Sequence, residues 1–133
     1  SKRYKRPLTL MIGDLARFKL VNDRLGHQAG DRVLKGLADV IRGQLRDSDW
    51  VVRYGGDEFL FVLPETGLAI ETVEERLSRA IREWSTENLT DVEVTMDFGW
   101  ATWTPETPSD LAELIRAADQ MLYGRKTSRL GGP

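Results

Sequence analysis

Cysteine is absent from this 133-residue chain, and histidine occurs once, as His27. Without thiols there is no disulfide framework, no Cys-ligated zinc and no thiol nucleophile, and one imidazole cannot build a multi-histidine metal site within the chain. Hard-metal chemistry with oxygen ligands survives both absences. An excess of charge of one sign is also missing: 19 basic against 21 acidic residues leave a net charge of −2. The chain therefore exerts no electrostatic pull toward nucleic acid, and a pure phosphate-backbone binder is disfavoured. No stretch approaches the roughly 18 consecutive apolar residues of a membrane span, and the start has no apolar signal-peptide core. The expectation is a cytoplasmic domain without direct membrane contact, unless segments outside this chain tether it to a membrane sensor. What is present, 41% hydrophobic residues over this length, suits one hydrophobic core and one domain.

Residues 1–7 are mostly basic and end in Pro7, and they read as a linker; 8–130 read as the domain and 131–133 as a tail. Leu8, Leu10 and Ile12 alternate with Thr9, Met11 and Gly13, the period of a half-buried strand that ends at Asp14. Val33, Leu34, Leu37, Ile41 and Leu45 recur at helical spacing with charged residues between them. Trp50–Tyr54 and Phe59–Leu63 are β-prone runs bracketing Gly55-Gly56, a pair able to take the positive φ angles of a tight hairpin turn. Ile70, Val73, Leu77, Ile81 and Trp84 predict a further amphipathic helix, and Val92, Val94, Met96 and Phe98 a fourth strand running into Gly99. Thr107, Pro108 and Asp110 predict the start of a last helix, with Leu111, Leu114, Ile115, Ala118 and Leu122 on its buried face.

This order predicts an α+β domain: a ferredoxin-like split βαβ antiparallel sheet with helices packed on one side. In that topology the first and third strands are central, antiparallel neighbours. The end of the first, at Asp14, then lies beside the start of the third, at Asp57 and Glu58, although Asp14 and Asp57 are 43 positions apart. Carboxylates gathered beside a glycine turn suit Mg²⁺, which takes oxygen ligands at about 2.1 Å and completes its shell with water and substrate phosphates. A divalent cation also removes the cost of holding like charges together. Spacing alone equally accommodates two ordinary polar residues at a strand start.

Arg53-Tyr54-Gly55-Gly56-Asp57-Glu58-Phe59 contains the Gly-Gly-Asp-Glu-Phe signature, and Asp14 through Asp23 with Gly26-His27 and Gly30-Asp31 is similar to a second long motif of the same family. Most of the chain thus resembles the GGDEF family, the diguanylate cyclases. The resemblance implies a nucleotidyl-cyclase palm-like sheet that condenses two GTP molecules into cyclic di-GMP and two pyrophosphates, with one GTP on each subunit of an antiparallel homodimer. It implies Asp14, the Leu15 carbonyl and Asp57 as ligands of Mg²⁺ (or Mn²⁺), with Glu58 assisting and Asp57 helping to deprotonate the 3′-hydroxyl; Asp57 and Glu58 are thus the catalytic pair. Asn22 and Asp31 match guanine-reading positions. An amide both donates and accepts, and a carboxylate accepts from guanine N1 and N2 hydrogens; taken alone, both residues also suit turns or helix caps. Phe18 and Lys19 open a segment whose backbone N–H groups can face phosphates as a helix start does. Gly55 and Gly56 complete the substrate-binding set with Lys126, which matches a phosphate-binding lysine; a lone lysine there would otherwise be a solvated helix-end charge. His27 reads as structural. Arg46 and Asp49 fit an inhibitory Arg-x-x-Asp product site, where arginine can bind guanine O6 and N7; the plain alternative is an exposed ion pair.

Four departures from the family pattern stand out. Ala16 replaces a common second aspartate. Leu130 falls where a phosphate-binding arginine is expected, and Arg129, one position away, points about 100° off on a helix. Asp97 occupies a position commonly held by a small hydroxyl residue, and the family's opening segment is absent before Pro7. Ala16 and Leu130 favour a second reading, a catalytically weakened module that binds GTP or cyclic di-GMP as a receptor. An RNA-binding ferredoxin-like domain is disfavoured by the acidic balance and the lack of an exposed aromatic pair. An N-terminal sensory domain outside this chain is the expected source of input.

Overall fold

In a computed structural model, which describes residues 7–53, 55–66, 69–89, 92–106 and 109–131 with the side chains of 128–131 excepted, the chain runs β1 (Leu8–Ala16), α1 (Phe18–Leu25), α2 (His27–Gly43), β2 (Trp50–Arg53), β3 (Glu58–Pro64), α3 (Ile70–Asn88), β4 (Thr95–Trp103) and α4 (Leu111–Gly131). The strands form one sheet in the order β2-β3-β1-β4, every adjacent pair antiparallel. β1 and β3 are its central pair, as the split βαβ reading requires. The linker expected over 1–7 falls, Pro7 apart, outside the described residues, as does the predicted helix start at Thr107-Pro108. Pro7 itself is held, its carbonyl accepting the Glu65 N–H at 2.8 Å.

Alternation along the strands sorts the side chains onto two faces. Met11 and Leu15 of β1, Phe59, Phe61 and Leu63 of β3, and Met96 and Phe98 of β4 point to one side, where they meet Val33, Leu34, Leu37 and Ile41 of α2 and Leu77 and Ile81 of α3. Phe61 and Phe98 pack edge to face, with centroids 6.1 Å apart. Full burial of such side chains stabilises by about 1.5–3 kcal/mol each, so this layer dominates the fold.

The expectation that all helices share one side is corrected by α4, which packs on the opposite face against Ile12 through Ala118 and Leu122. Its contact is close because β4 carries Gly99 there; a Cβ at this position would sit 2.3 Å from the Ala118 carbonyl oxygen. Gly99 is therefore a packing residue inside β4 and not the end of the strand. β4 also starts later than the alternation of Val92 and Val94 predicts. Both valines are buried, but β1 reaches only Ala16, paired with Thr95, and then turns through Arg17 at φ 68°. With no strand to pair with, Val94 donates its N–H to the Ser85 hydroxyl instead, at 2.9 Å.

Three further boundaries differ from the pattern reading. The segment after β1 is helical as α1 and is separated from α2 by Gly26 at φ 92°, a conformation that favours glycine. α4 begins at Leu111 behind a reciprocal capping box, in which Glu113 N–H donates to Asp110 Oδ1 (2.8 Å) and Asp110 N–H to Glu113 Oε1 (2.9 Å). The β2–β3 hairpin is present, and Gly56 lies outside the left-handed region. The turn is drawn together by the Arg53 guanidinium, which donates to the Gly55 and Gly56 carbonyls at 3.3 and 3.0 Å.

Candidate active site

The sheet register brings the acidic residues together. Asp14 pairs with Glu58 of β3 on one side and with Asp97 of β4 on the other. Directly opposed residues in antiparallel strands share a face, so three carboxylates line up across β3, β1 and β4 on the α4 side. Asp57 precedes Glu58 in the hairpin turn, and its backbone carbonyl accepts the Leu15 N–H at 3.0 Å. This bond ties the 14–15 and 57–58 stretches to each other. Lys126, from the face of α4 that meets the sheet, donates to Asp14 Oδ2. Together with Ala16, Arg17, Glu93 and Thr95 these residues line a cleft of about 670 Å³.

The cleft holds more negative charge than its lysine offsets. Burial, and then the charge of Asp14, push the Asp57 carboxyl above its ordinary pKa. Burial followed by the charges of Asp14 and Asp119 does the same to Glu58. The hydrogen bond to Asp14 raises the Lys126 ammonium in turn, so it stays protonated. An additional cation would relieve this strain. The donors suit a hard divalent ion, being carboxylate and backbone oxygen with no thiolate or imidazole. Among the described residues no group of three or more carboxylate or imidazole side chains is already drawn together closely enough to hold an ion by itself.

Asp97 is a member of this carboxylate row that the strand pattern only half discloses. Met96 and Phe98 face the main core, so Asp97 must face the other way, level with Asp14. Asp97 thus adds a carboxylate near the Lys126–Asp14 pair, and its charge contributes to keeping Lys126 protonated.

The other expected residues lie in adjoining places. Phe18 is buried in the core while Lys19 is exposed. Both open α1, whose N-terminus has no side-chain cap and follows Arg17 at the cleft wall. Asn22 packs on α2 at Gly30, where a Cβ would meet its Oδ1 at 1.9 Å. The next residue, Asp31, opens a second groove of about 800 Å³ between α2 and β2, flanked by Arg32, Lys35, Arg53 and Phe59. The grooves meet at the hairpin: Asp57 and Glu58 line one, Arg53 and Phe59 the other. His27 is exposed at the start of α2 and lines neither.

Arg46 and Asp49 lie away from both grooves and bind one another. Arg46 Nη2 donates to Asp49 Oδ1 at 2.8 Å and Nε to Oδ2 at 3.2 Å. Nη2 also reaches the Pro64 carbonyl at 2.5 Å and Thr66 Oγ1 at 2.9 Å. The Asp49 side chain is nearly buried while half of the Arg46 side chain is exposed. The pair therefore closes the α2–β2 loop onto the end of β3, with the arginine at the surface.

The sequence model for the family described as "Diguanylate cyclase, GGDEF domain" matches residues 1–130. The chain belongs to the GGDEF diguanylate cyclase family. Among curated relatives it is 40% identical over 119 residues to the protein YtrP of Bacillus subtilis (strain 168), covering 89% of this chain and 20% of that one. It is 34% identical over 126 residues to diguanylate cyclase DosC of Escherichia coli (strain K12), covering 92% and 27%. Among solved structures, the GGDEF domain of TpbB (YfiN) from Pseudomonas aeruginosa superposes with a TM-score of 0.81 at 34% identity over 95% of this chain and 80% of that chain. This GGDEF domain thus spans about a quarter or less of the length of these curated relatives. Its signature, Gly55 to Phe59, is the hairpin that separates the two grooves. The side chains of Arg129 and Leu130, on which one departure from the family pattern rests, lie outside the described residues. No helix among the described residues is long and apolar enough to cross a membrane.

Proposed function

We propose that this domain is a diguanylate cyclase that condenses two GTP molecules into cyclic di-GMP. The observation that carries the reading is the meeting of Asp14, Asp57 and Glu58 beside the Gly55-Gly56 turn, with Lys126 among them. Asp14, the Leu15 carbonyl, Asp57 and Glu58 would hold Mg²⁺ or Mn²⁺. Such an ion, when bound, polarises the α-phosphate and lowers the pKa of the attacking hydroxyl. The chain's own groups do the rest. Asn22, packed on α2 at Gly30, and Asp31, at the α2–β2 groove, read the guanine edge. The Phe18 and Lys19 N–H groups and Lys126 hold the β- and γ-phosphates in the carboxylate cleft, and Gly55 and Gly56 leave the α-phosphate room at the turn. The 3′-oxygen of each GTP forms a bond to the α-phosphorus of the other, and the bond from each α-phosphorus to the bridging β-phosphate oxygen breaks. Two pyrophosphates leave, and each hydroxyl proton passes to Asp57 of one of the two copies.

Each chain supplies one half-site, so turnover requires two copies face to face, and positioning contributes most of the catalysis. Arg46 and Asp49 would bind cyclic di-GMP as an inhibitory site. The exposed half of the arginine supports this, although its present partners must be exchanged for the ligand. The segments that make the relatives longer would supply the input signal. The receptor alternative keeps the same binding residues without turnover, and it is favoured by Ala16 and Leu130.

Incubation of concentrated or artificially dimerised protein with GTP and Mg²⁺, followed by nucleotide chromatography, separates the two. The expected result is cyclic di-GMP from the native chain and none from Asp57→Ala. No product under enforced dimerisation, with GTP binding retained, establishes the receptor in place of the enzyme. Undiminished activity in Asp57→Ala refutes its catalytic role.

A further inference from the structure

α4 carries Lys126, yet its apolar attachment to the sheet stops a turn short of that residue. On the α4 face Ile12, Ala118 and Leu122 are buried with Leu60 and Ile115 packed against them, and Leu114 is buried as well. This apolar contact ends at Leu122. Tyr123 is exposed, and Gly124, which costs a helix about 1 kcal/mol relative to alanine, opens the turn that must present Lys126. Nothing apolar among the described side chains fixes that turn beyond this point.

Arg125 supplies the missing anchor. Its guanidinium crosses the outer edge of the sheet at β4, donating to the Phe98 carbonyl at 3.0 Å and to Glu74 Oε2 of α3 at 2.5 Å. It also lies 4.7 Å from the centre of the Trp100 ring, within the range of cation–π attraction. The side chain thus joins α4 to α3, which packs on the other face of the sheet. Consecutive helix residues differ by 1.5 Å in rise and about 100° in direction. Fixing Arg125 against the β4 edge therefore fixes the direction of Lys126, which stands over Asp14.

We propose that Arg125 is a positioning residue for Lys126: its clamp on Glu74, Phe98 and Trp100 sets the rotation of α4 so that the lysine can take the phosphates of GTP. The inference rests on the reading of Lys126 as a phosphate contact. The test compares binding of the β,γ-imido analogue of GTP with binding of guanosine, which has no phosphate, in the full chain. Arg125→Ala should weaken the analogue about ten-fold, the order expected when a binding group is misplaced by a fraction of an ångström, and leave guanosine unchanged. Arg125→Lys and Glu74→Gln, which keep part of the clamp, should fall between. In a Lys126→Met background, Arg125→Ala should have no further effect. Equal loss of analogue and guanosine, or additive losses in the double variant, would overturn the proposal in favour of general loosening. An effect of Lys126→Met with none from the Arg125 and Glu74 variants overturns the positioning role alone. No effect of Lys126→Met removes the phosphate contact itself, and the proposal with it.

Discussion

Replacing Gly99 by alanine probes the contact that brings α4 to the active face. The new Cβ would lie 2.3 Å from the Ala118 carbonyl oxygen, 2.5 Å from the Leu122 nitrogen and 2.8 Å from Leu122 Cβ. Two of these are backbone atoms of a helix, which cannot rotate away as a side-chain tip can. Ordinary van der Waals contact begins near 3.4 Å, so α4 must withdraw by about 1 Å, and a gap of that size forfeits a quarter to a half of each dispersion contact. The side chains that lose partners are Ile12, Ala118 and Leu122, two of them worth about 1.5–3 kcal/mol each when fully buried. The expected loss is about 2 kcal/mol, inside the usual range for overpacking. With a urea m-value of about 1–3 kcal/mol/M, the midpoint should fall by roughly 1 M without a change in slope. Gly43→Ala is the control, because a Cβ there meets nothing within 4 Å and the residue is helical; it should be neutral or stabilising by up to about 1 kcal/mol. A Gly99→Ala variant within about 0.5 kcal/mol of the native chain, a shift typical of neutral surface changes, would refute the close-approach argument. Because α4 bears Lys126, affinity for the GTP analogue should fall along with stability.

Without divalent metal, the raised pKa values of Asp57 and Glu58 tie stability to pH. The folded state holds these protons more tightly than the unfolded one. Their stabilising contribution is therefore complete below the ordinary values of 3.8 and 4.5 and is lost as pH rises through the folded pKa values. Asp57→Asn should flatten that part of the profile in urea melts taken from pH 4 upward; an unchanged profile would contradict the raised pKa of Asp57. Arg46→Ala should destabilise by about 1–2 kcal/mol, since it leaves the nearly buried Asp49 carboxylate without its arginine partner, and it should relieve inhibition by cyclic di-GMP. Inhibition that persists at the native product concentration in a folded Arg46→Ala domain excludes the second site.

The convergence of Asp14 with Asp57 and Glu58 is legible in the amino-acid sequence, because it follows from topology. The alternation of Leu8 to Ile12 and of Phe59 to Leu63 marks two strands, and the split βαβ order makes them antiparallel neighbours. Side-chain period and element order are local properties of a sequence, and together they place strand ends. Asp97 could be read only by register: its neighbours Met96 and Phe98 show which way it points, but not that Asp14 lies opposite.

The extent of β4 was not legible, since buried Val92 and Val94 continue the strand pattern past the point where β1 turns away at Arg17. The apolar stripe of α4, from Leu114 to Leu122, states that the helix buries a face and is silent on which side of the sheet receives it. That choice is made by Gly99, whose missing side chain admits the helix backbone, and by Arg125, which reaches around the sheet edge to Glu74. The composition and order of residues determined the elements, the strand neighbours and the acidic corner, because each depends on periodicity along the chain. Only the tertiary structure decided which face α4 covers and where Lys126 points, because those depend on contacts between residues tens of positions apart that leave no periodic trace.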